Sequence, residues 1–530
     1  VLATKKLEVG GEPQLKYILQ HIAPYFSCIA NGRTPRSTAP NFRFVYLQQI
    51  ICMRIKQLYT GCISEAAYFI ESEGEAAVVD PLRDIDEYLQ LANERGVKIK
   101  YIFETHFHAD FVSGHLDLAA ATGATIVYGP DTVTKFSVHV AKDGEVFTLG
   151  KISVQVLHTP GHTLESSCFL VKDEAGKDHA IFTGDTLFVG DVGRPDLAQK
   201  GADLTMEDLA GMLYESLQAK IMPLADEVIM YPAHGAGSSC GKNLGPETYS
   251  TIGEQKQSNY ALQQTTKIDF VKAVTDGLAA PPQYFPINAK INKEGYESLD
   301  ALLEIGLQPL SIEAFKTKAA EENVLILDTR PASVFTEGFI PESIFIGLEG
   351  KFAEWAGSLL PFDKTIILVT EEGKEKESIV RLTRVGFDQF GGYLKGGFEA
   401  WKNAGEKVDL VIDVENDELA MDIPFDENLV VVDVRKDTEY DEGHLKQAIN
   451  IPLATLSDPG TMADFEDNQN LYVHCAGGYR SVIAISLMKK QGIHNLRNIV
   501  GGWGKIVELK DKFEIEKTEP LVVEDASAEE

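Results

Sequence analysis

The stretch Thr105-His106-Phe107-His108-Ala109-Asp110-Phe111 follows a short run, Lys100-Tyr101-Ile102-Phe103, that reads as a buried strand. Histidines at i and i+2 share a face on a strand but lie roughly 200° apart on a helix, so convergence on one ion requires a strand end or a loop. Three later stretches each put a ligand-type residue in a turn after an apolar run: Thr159-Pro160-Gly161-His162-Thr163, Phe182-Thr183-Gly184-Asp185-Thr186 and Tyr231-Pro232-Ala233-His234-Gly235. Any one of these side chains reads equally well as an ordinary polar loop residue. Four histidines and two aspartates gathered in four strand-end turns favour a metal site.

A second chemical centre lies near the C-terminus. Leu471-Tyr472-Val473-His474 reads as a strand running into Cys475-Ala476-Gly477-Gly478-Tyr479-Arg480-Ser481, followed by the apolar helical run Val482-Ile483-Ala484-Ile485. A cysteine in a glycine-containing loop at a helix N-terminus is surrounded by backbone N–H groups and the positive end of the dipole. Such surroundings stabilise a thiolate or persulfide anion, and Arg480 adds a cation able to pair with a sulfur oxyanion. The alternative for Cys475 is a buried structural thiol.

These centres need several domains to position them. The 530 residues suffice for three or four, and a hydrophobic content of 44% supports real cores. With 49 basic and 80 acidic side chains the formal charge is −31, which argues against nucleic acid or an anionic membrane as partner. No apolar run approaches the eighteen or so residues of a membrane span. Cys28, Cys52, Cys62, Cys168, Cys240 and Cys475 form no CxxC pair and no regular framework, the usage of a reducing compartment, so the cytoplasm is expected.

Residues 1–52 carry six basic and two acidic side chains and read as an upstream extension ahead of a start near Met53, or as a targeting segment. From Met53 the text is regular. Strands are expected at 53–58, 67–70 and 76–79, an amphipathic helix at 84–95, a second helix from His115 to Ala121, and a strand at 152–157 that delivers His162. Helix is expected after the last His turn, through about Tyr260, and Val271 to Pro286 reads as a linker or rigid loop. The first domain thus covers 53–285.

Beyond it lies an internal repeat. Leu327-Asp328-Thr329-Arg330 matches Val432-Asp433-Val434-Arg435, Glu337-Gly338-Phe339 matches Glu442-Gly443-His444, and Gly396-Gly397-Phe398 matches Gly501-Gly502-Trp503, each 105 residues apart. Both copies, 286–410 and 411–515, alternate β-branched runs with helical stretches, which argues for parallel sheets flanked by helices. At the same offset Thr370 stands in place of Cys475, among Glu371, Glu372 and Glu375, so the first copy is expected to be inert. The acidic tail 516–530 is expected to fray.

The HxHxD run followed in order by GH, GD and AHG resembles the metallo-β-lactamase superfamily, and the strings THFHADFVSGH, TGDTLFVGDVGRPD and YPAHGAGSSCGK resemble its persulfide dioxygenase branch. The DVR, EGH and GGW marks, with a C-x4-R loop, resemble the rhodanese family. Together they imply an αββα sandwich, two sheets face to face with helices outside, followed by two rhodanese-like α/β domains. Hydrolytic members of the superfamily read HxHxDH; Phe111 replaces the last His, so a second metal site is expected to be lost. The resemblance implies one Fe(II) per chain, with Zn as the alternative, held by His106, His162 and Asp185, while His108, Asp110 and His234 orient ligands or water. It further implies oxidation of a low-molecular-weight thiol persulfide by O₂ to sulfite and thiol in sulfide detoxification, with Cys475 and Arg480 exchanging sulfane sulfur with sulfite or thiosulfate, and a possible homodimer. Arg194, in the GRPD stretch, is a candidate for holding substrate carboxylates, against the reading of a surface salt bridge. The competing functions are a zinc thioesterase of the glyoxalase II kind and a non-enzymatic persulfide carrier or sensor.

Overall fold

The computed structural model describes residues 53–197, 204–463, 465, 466 and 468–518. The extension 1–52 and the tail beyond residue 518 lie outside the described residues. The chain divides after Tyr296 into two compact units.

The first unit is built on two six-stranded sheets. One runs in simple order through β1 (Arg54–Thr60), β2 (Glu65–Ser72), β3 (Glu75–Val79), β4 (Lys98–Phe103), β5 (Thr125–Tyr128) and β6 (His139–Val140). The other holds β7 (Val146–Leu149), β8 (Ile152–His158), β9 (Ser167–Lys172), β10 (Asp178–Gly184), β11 (Ile229–Pro232) and β12 (Ser250–Thr251), from β12 at one edge to β7 at the other. Side chains alternate across a strand, and here both faces are apolar. Ala66, Tyr68 and Ile70 of β2 join Phe103, Phe169 and Phe182 between the sheets, whereas Ala67 and Phe69 point outward to Tyr88, Leu91 and Leu118. Those last three come from helices α1 (Asp86–Arg95) and α2 (His115–Thr122), each ended by a left-handed glycine, Gly96 or Gly123. On the far side Ile181 and Leu170 pack against α3 (Met206–Ser216). The layering is the expected αββα sandwich.

Two expectations needed correction. After His234 the chain does not form a continuous helix: only α4 (Ile252–Ser258) is helical, because Gly235, Gly237, Gly241, Gly245 and Pro246 break the intervening segment into turns. The expected linker includes the end of one helix, α5 (Lys267–Thr275), and the start of another, α6 (Phe285–Glu294), with Pro286 in its first turn where a missing N–H costs nothing. That last helix belongs to the first unit, since Asn292 donates to His108 O (2.8 Å) and Phe111 O (2.7 Å) and accepts from Ser113 N (2.9 Å). The boundary therefore falls after residue 296, not 285.

The second unit contains two five-stranded sheets of the same topology. The first is β13 (Pro309–Leu310), β14 (Val324–Asp328), β15 (Ile344–Phe345), β16 (Thr365–Val369) and β17 (Phe390–Leu394), ordered β13-β17-β16-β14-β15, all neighbours parallel. The second includes β18 (Ile412–Val414) and β19 (Leu429–Asp433); after β20 (His444–Leu445) come β21 (Ile449–Asn450), β22 (Asn470–His474) and β23 (Leu496–Ile499), ordered β18-β23-β22-β19-β21 and again parallel. The final strand β24 (Ile515–Glu516) pairs with β20, so order reaches Glu516, the first residue of the segment expected to fray.

The three repeat marks meet in one buried bridge per copy. Arg330 binds Asp328 and the Gly338 carbonyl (2.9 Å) and lies 4.2 Å over the Phe398 ring; Arg435 does the same with Asp433, Gly443 O (2.7 Å) and Trp503 (4.3 Å). A buried guanidinium with its carboxylate satisfied this way orients strand, turn and helix together. Among the described residues no helix is long and apolar enough to cross a membrane.

Candidate functional site

The ends of β4, β8, β10 and β11 deliver His106, His162, Asp185 and His234 to one edge of the sandwich. Gly184 makes the close approach possible. At φ +50° it brings Asp185 against the first His turn, and a Cβ there would lie 2.5 Å from Thr105 Oγ1.

Each imidazole is fixed through its Nδ1. The Thr105 hydroxyl donates to Asp80 Oδ2 (2.9 Å), so its oxygen accepts from His106 Nδ1 (3.0 Å). His162 Nδ1 donates to Arg194 O (2.8 Å), and His234 Nδ1 to Ser64 O (3.1 Å). Pinning one nitrogen leaves Nε2 as the free lone pair, the arrangement of a metal-binding histidine. The Nε2 atoms of all three, and both oxygens of Asp185, are buried without a hydrogen-bond partner. Asp185 Oδ2 lies 3.4 Å from His162 Nε2 and 3.8 Å from His106 Nε2, too far to bond and about the separation of two donors on one ion. Burial, then the neighbouring His108, His162 and His234, hold His106 well below its usual pKa, in the neutral form a metal requires.

His108 turns away from this set. Burial opposes its charge, yet Asp80, Glu104 and Asp110 raise its pKa to about 9, and its Nε2 lies 3.0 Å from Asp80 Oδ1. The Phe111 ring packs 4.3 Å from the imidazole on the other side. Behind it His115, buried and close to His108 and Arg83, is lowered to about 3. Asp110 and His234 also converge, with Oδ2 and Nε2 3.4 Å apart, and Cys240 joins them; burial and the two aspartates push the Cys240 thiol well up.

Arg194 does not face the site with its guanidinium. It is 4% exposed and donates to both oxygens of Asp196 (2.7 and 2.8 Å), to Ser239 O (3.0 Å) and to Ala279 O (2.6 Å). Neither a carboxylate-binding arm nor a surface salt bridge describes it: it clamps the loop after His234 and presents its carbonyl to His162.

At the sulfur centre Cys475 is 1% exposed and its Sγ accepts the Gly478 N–H at 3.1 Å. Gly478, at φ +102°, caps the helix Tyr479–Lys490. The Gly501-Gly502 turn supports the loop from behind: Trp503 N and Gly504 N donate to Cys475 O (2.7 Å) and Ala476 O (3.0 Å), and a Cβ on Gly502 would lie 2.2 Å from Cys475 O. Arg480 sits in the loop but grips Glu439 through both terminal nitrogens, at 2.6 and 2.8 Å. Burial opposes its charge and Glu439 restores it, while the Arg480 hydrogen bond holds Glu439 below the usual carboxylate range. The sequence offered no sign of Glu439, which stands 41 residues upstream. Ser481, next along the helix, donates its hydroxyl to Asn498 Oδ1 at 2.7 Å. The four described cysteines, Cys62, Cys168, Cys240 and Cys475, are free.

Residues 60–234 match the Metallo-beta-lactamase superfamily, and residues 311–404 and 416–509 each match the Rhodanese-like domain. A hydroxyacylglutathione hydrolase of Methylococcus capsulatus is 30% identical over 241 residues, 44% of this chain and 88% of that protein. A probable hydroxyacylglutathione hydrolase of Schizosaccharomyces pombe is 27% identical over 234 residues, 39% of this chain and 86% of the relative. Among solved structures, a metallo-beta-lactamase from Staphylococcus aureus superposes with a TM-score of 0.57 at 34% identity, covering 64% of this chain and 99% of that one. The chain belongs to the metallo-β-lactamase superfamily, and two rhodanese-like domains follow its metallo-β-lactamase domain.

Proposed function

We propose that this protein is an iron-dependent persulfide dioxygenase joined to a sulfurtransferase. The observation that carries the reading is the three-donor set His106, His162 and Asp185, from which His108 is withdrawn to Asp80. Two imidazoles and a carboxylate suit non-haem Fe(II), which would there supply neighbouring open positions for O₂ and a sulfur anion. The chain's own part is orientation: Arg194 O and Thr105 set the imidazoles, and burial excludes water. The balance is RSSH, O₂ and water giving RSH, sulfite and two protons; the terminal sulfur is oxidised, the S–S bond breaks and O₂ is reduced. In the second reaction a persulfide on Cys475 passes its outer sulfur to sulfite, forming thiosulfate and returning the thiolate, which the Gly478 N–H stabilises. Substrates are thus a small thiol persulfide, O₂ and sulfite or thiosulfate, and free cysteines fit a cytoplasmic setting.

The relatives named as hydroxyacylglutathione hydrolases favour a second reading, zinc-dependent thioester hydrolysis, for which Asp110 and His234 are also in place. O₂ uptake by the iron-loaded, anaerobically purified protein with glutathione persulfide and coenzyme A persulfide separates the two. Uptake is expected to vanish in Asp185→Ala and survive in Cys475→Ser. No uptake with either persulfide, together with thioester hydrolysis by the zinc form, overturns the dioxygenase.

A further inference from the structure

We propose that Asp413, held in place by the first rhodanese-like copy, is a positioning residue that acts through Asn498 and Ser481 to keep a proton on Cys475 Sγ. The inference rests on the reading of Cys475 as the sulfur-accepting thiol, and it brings in a side chain that does not touch that thiol.

The outer end of this hydrogen-bond chain fixes its direction. An aspartate carboxylate only accepts. Asp413 Oδ1 accepts from Asn498 Nδ2 at 2.8 Å, and Oδ2 accepts from the Thr336 hydroxyl at 2.8 Å. With its amide nitrogen committed to Asp413, Asn498 turns Oδ1 to Ser481, whose hydroxyl donates to it at 2.7 Å. Gly478 O, at 3.1 Å, is the other acceptor for the same proton. A hydroxyl has one proton, so Ser481 Oγ meets Sγ, 3.8 Å away, with a lone pair, which can accept from S–H and cannot support a thiolate. The Gly478 N–H at Sγ favours the anion, and the Ser481 lone pair opposes it. Cys475, Ser481 and Asn498 are 1%, 0% and 5% exposed, so the contest is shielded from water.

The first copy supplies the anchor. Segment 409–413, which joins the copies, lies along 336–339: Phe339 N donates to Asp409 O (2.9 Å), Asp409 N to Phe339 O (3.0 Å) and Val411 N to Thr336 O (3.0 Å). Strand β18 then enters the second sheet with Asp413 directly opposite Asn498. At positions 105 residues earlier, Gln308, Lys376 and Tyr393 stand for Asp413, Ser481 and Asn498, so the copy without the cysteine lacks the relay.

The ultraviolet absorbance of the thiolate, titrated with pH in the full chain against the matching Cys475→Ser form, tests it. Asp413→Ala frees the Asn498 amide to turn, so that Ser481 accepts from it and donates to sulfur. The midpoint is expected about 0.5 to 1 pH unit below wild type, the equivalent of one hydrogen bond. Asp413→Asn keeps an acceptor and loses the charge, and is expected to titrate as wild type does. Thr336→Val is expected to shift less than Asp413→Ala, in the same direction, and Asp413→Ala to add nothing in the Ser481→Ala background. Arg480, which acts on Cys475 through its charge, its partner Glu439 and the group His474, Asp433 and Arg435 stay in place in every variant. An unchanged midpoint in Asp413→Ala, equal shifts in Asp413→Ala and Asp413→Asn, or a shift that survives Ser481→Ala overturns the relay; an unmoved Thr336→Val overturns the part given to the first copy. No persulfide or thiosulfate enters the measurement, so the proposal and the sulfurtransferase reading fail separately.

Discussion

In the first rhodanese-like copy β16 ends at Val369 and runs into Thr370, whereas in the second β22 ends at His474 and runs into Cys475. The backbones that follow are alike. Gly373 and Gly478, 105 residues apart, both have positive φ (84° and 102°), and each turn leads into a helix, Glu375–Thr383 or Tyr479–Lys490. The side chains are opposed: Glu375 occupies the position of Arg480, and Val334 that of Glu439. The shared Asp–Arg–glycine bridge is present in both copies, so the two loops differ in the charge of their side chains and not in the backbone that carries them.

The comparison can be broken in order of effect. Cys475→Ala should abolish sulfur transfer, a loss of about a thousandfold or more as for other nucleophile removals. Thr370→Cys should not restore it, because Glu371, Glu372 and Glu375 repel an anion; persulfide formation on each cysteine, read by mass spectrometry, checks both. Giving the second copy the first copy's charge, Arg480→Glu, removes a charge-assisted contact worth ~1.5–3 kcal/mol, so thiosulfate turnover should fall about 10- to 100-fold, with Arg480→Lys intermediate because it cannot grip Glu439 bidentately. Thiosulfate:cyanide sulfurtransfer kinetics measure that series.

A smaller effect lies in pH. Burial lowers His474 from 6.5, and a histidine kept neutral in the fold loses stability as pH falls below 6.5, since only the unfolded chain takes the proton. Glu439, held below 4.5 by the Arg480 hydrogen bond, stabilises above its ordinary value and loses that contribution as pH falls through its lower folded value. Both act in the second copy and have no counterpart at Val369 or Val334. Hydrogen exchange from pH 8 to 5, corrected for intrinsic rates, reads the His474 part and should show β22 peptides losing protection before β16 peptides, and extending it to pH 3 adds the Glu439 part; equal losses would remove the difference.

Much of this was legible before any coordinates. The ligand turns follow apolar strands, and a strand carries its pattern in two or three residues, so His106, His162, Asp185 and His234 could be placed at strand ends. The repeat was legible because its marks meet in one buried bridge. What was hidden depends on partners distant in sequence. Nothing near His108 announces that Asp80 draws it aside, nothing near Arg480 points to Glu439, and Arg194 reads as an exposed arm until its four acceptors are known.

Tyr479, inside the sulfur-binding loop, donates its hydroxyl to Gly347 O of the first copy at 2.7 Å, and Ser486 on the same helix accepts from Phe345 N at 3.0 Å. The helix that begins in the Cys475 loop is therefore tied at two points to the edge of the first copy, and a change at Phe345 or Gly347 would be felt at the start and in the middle of that helix.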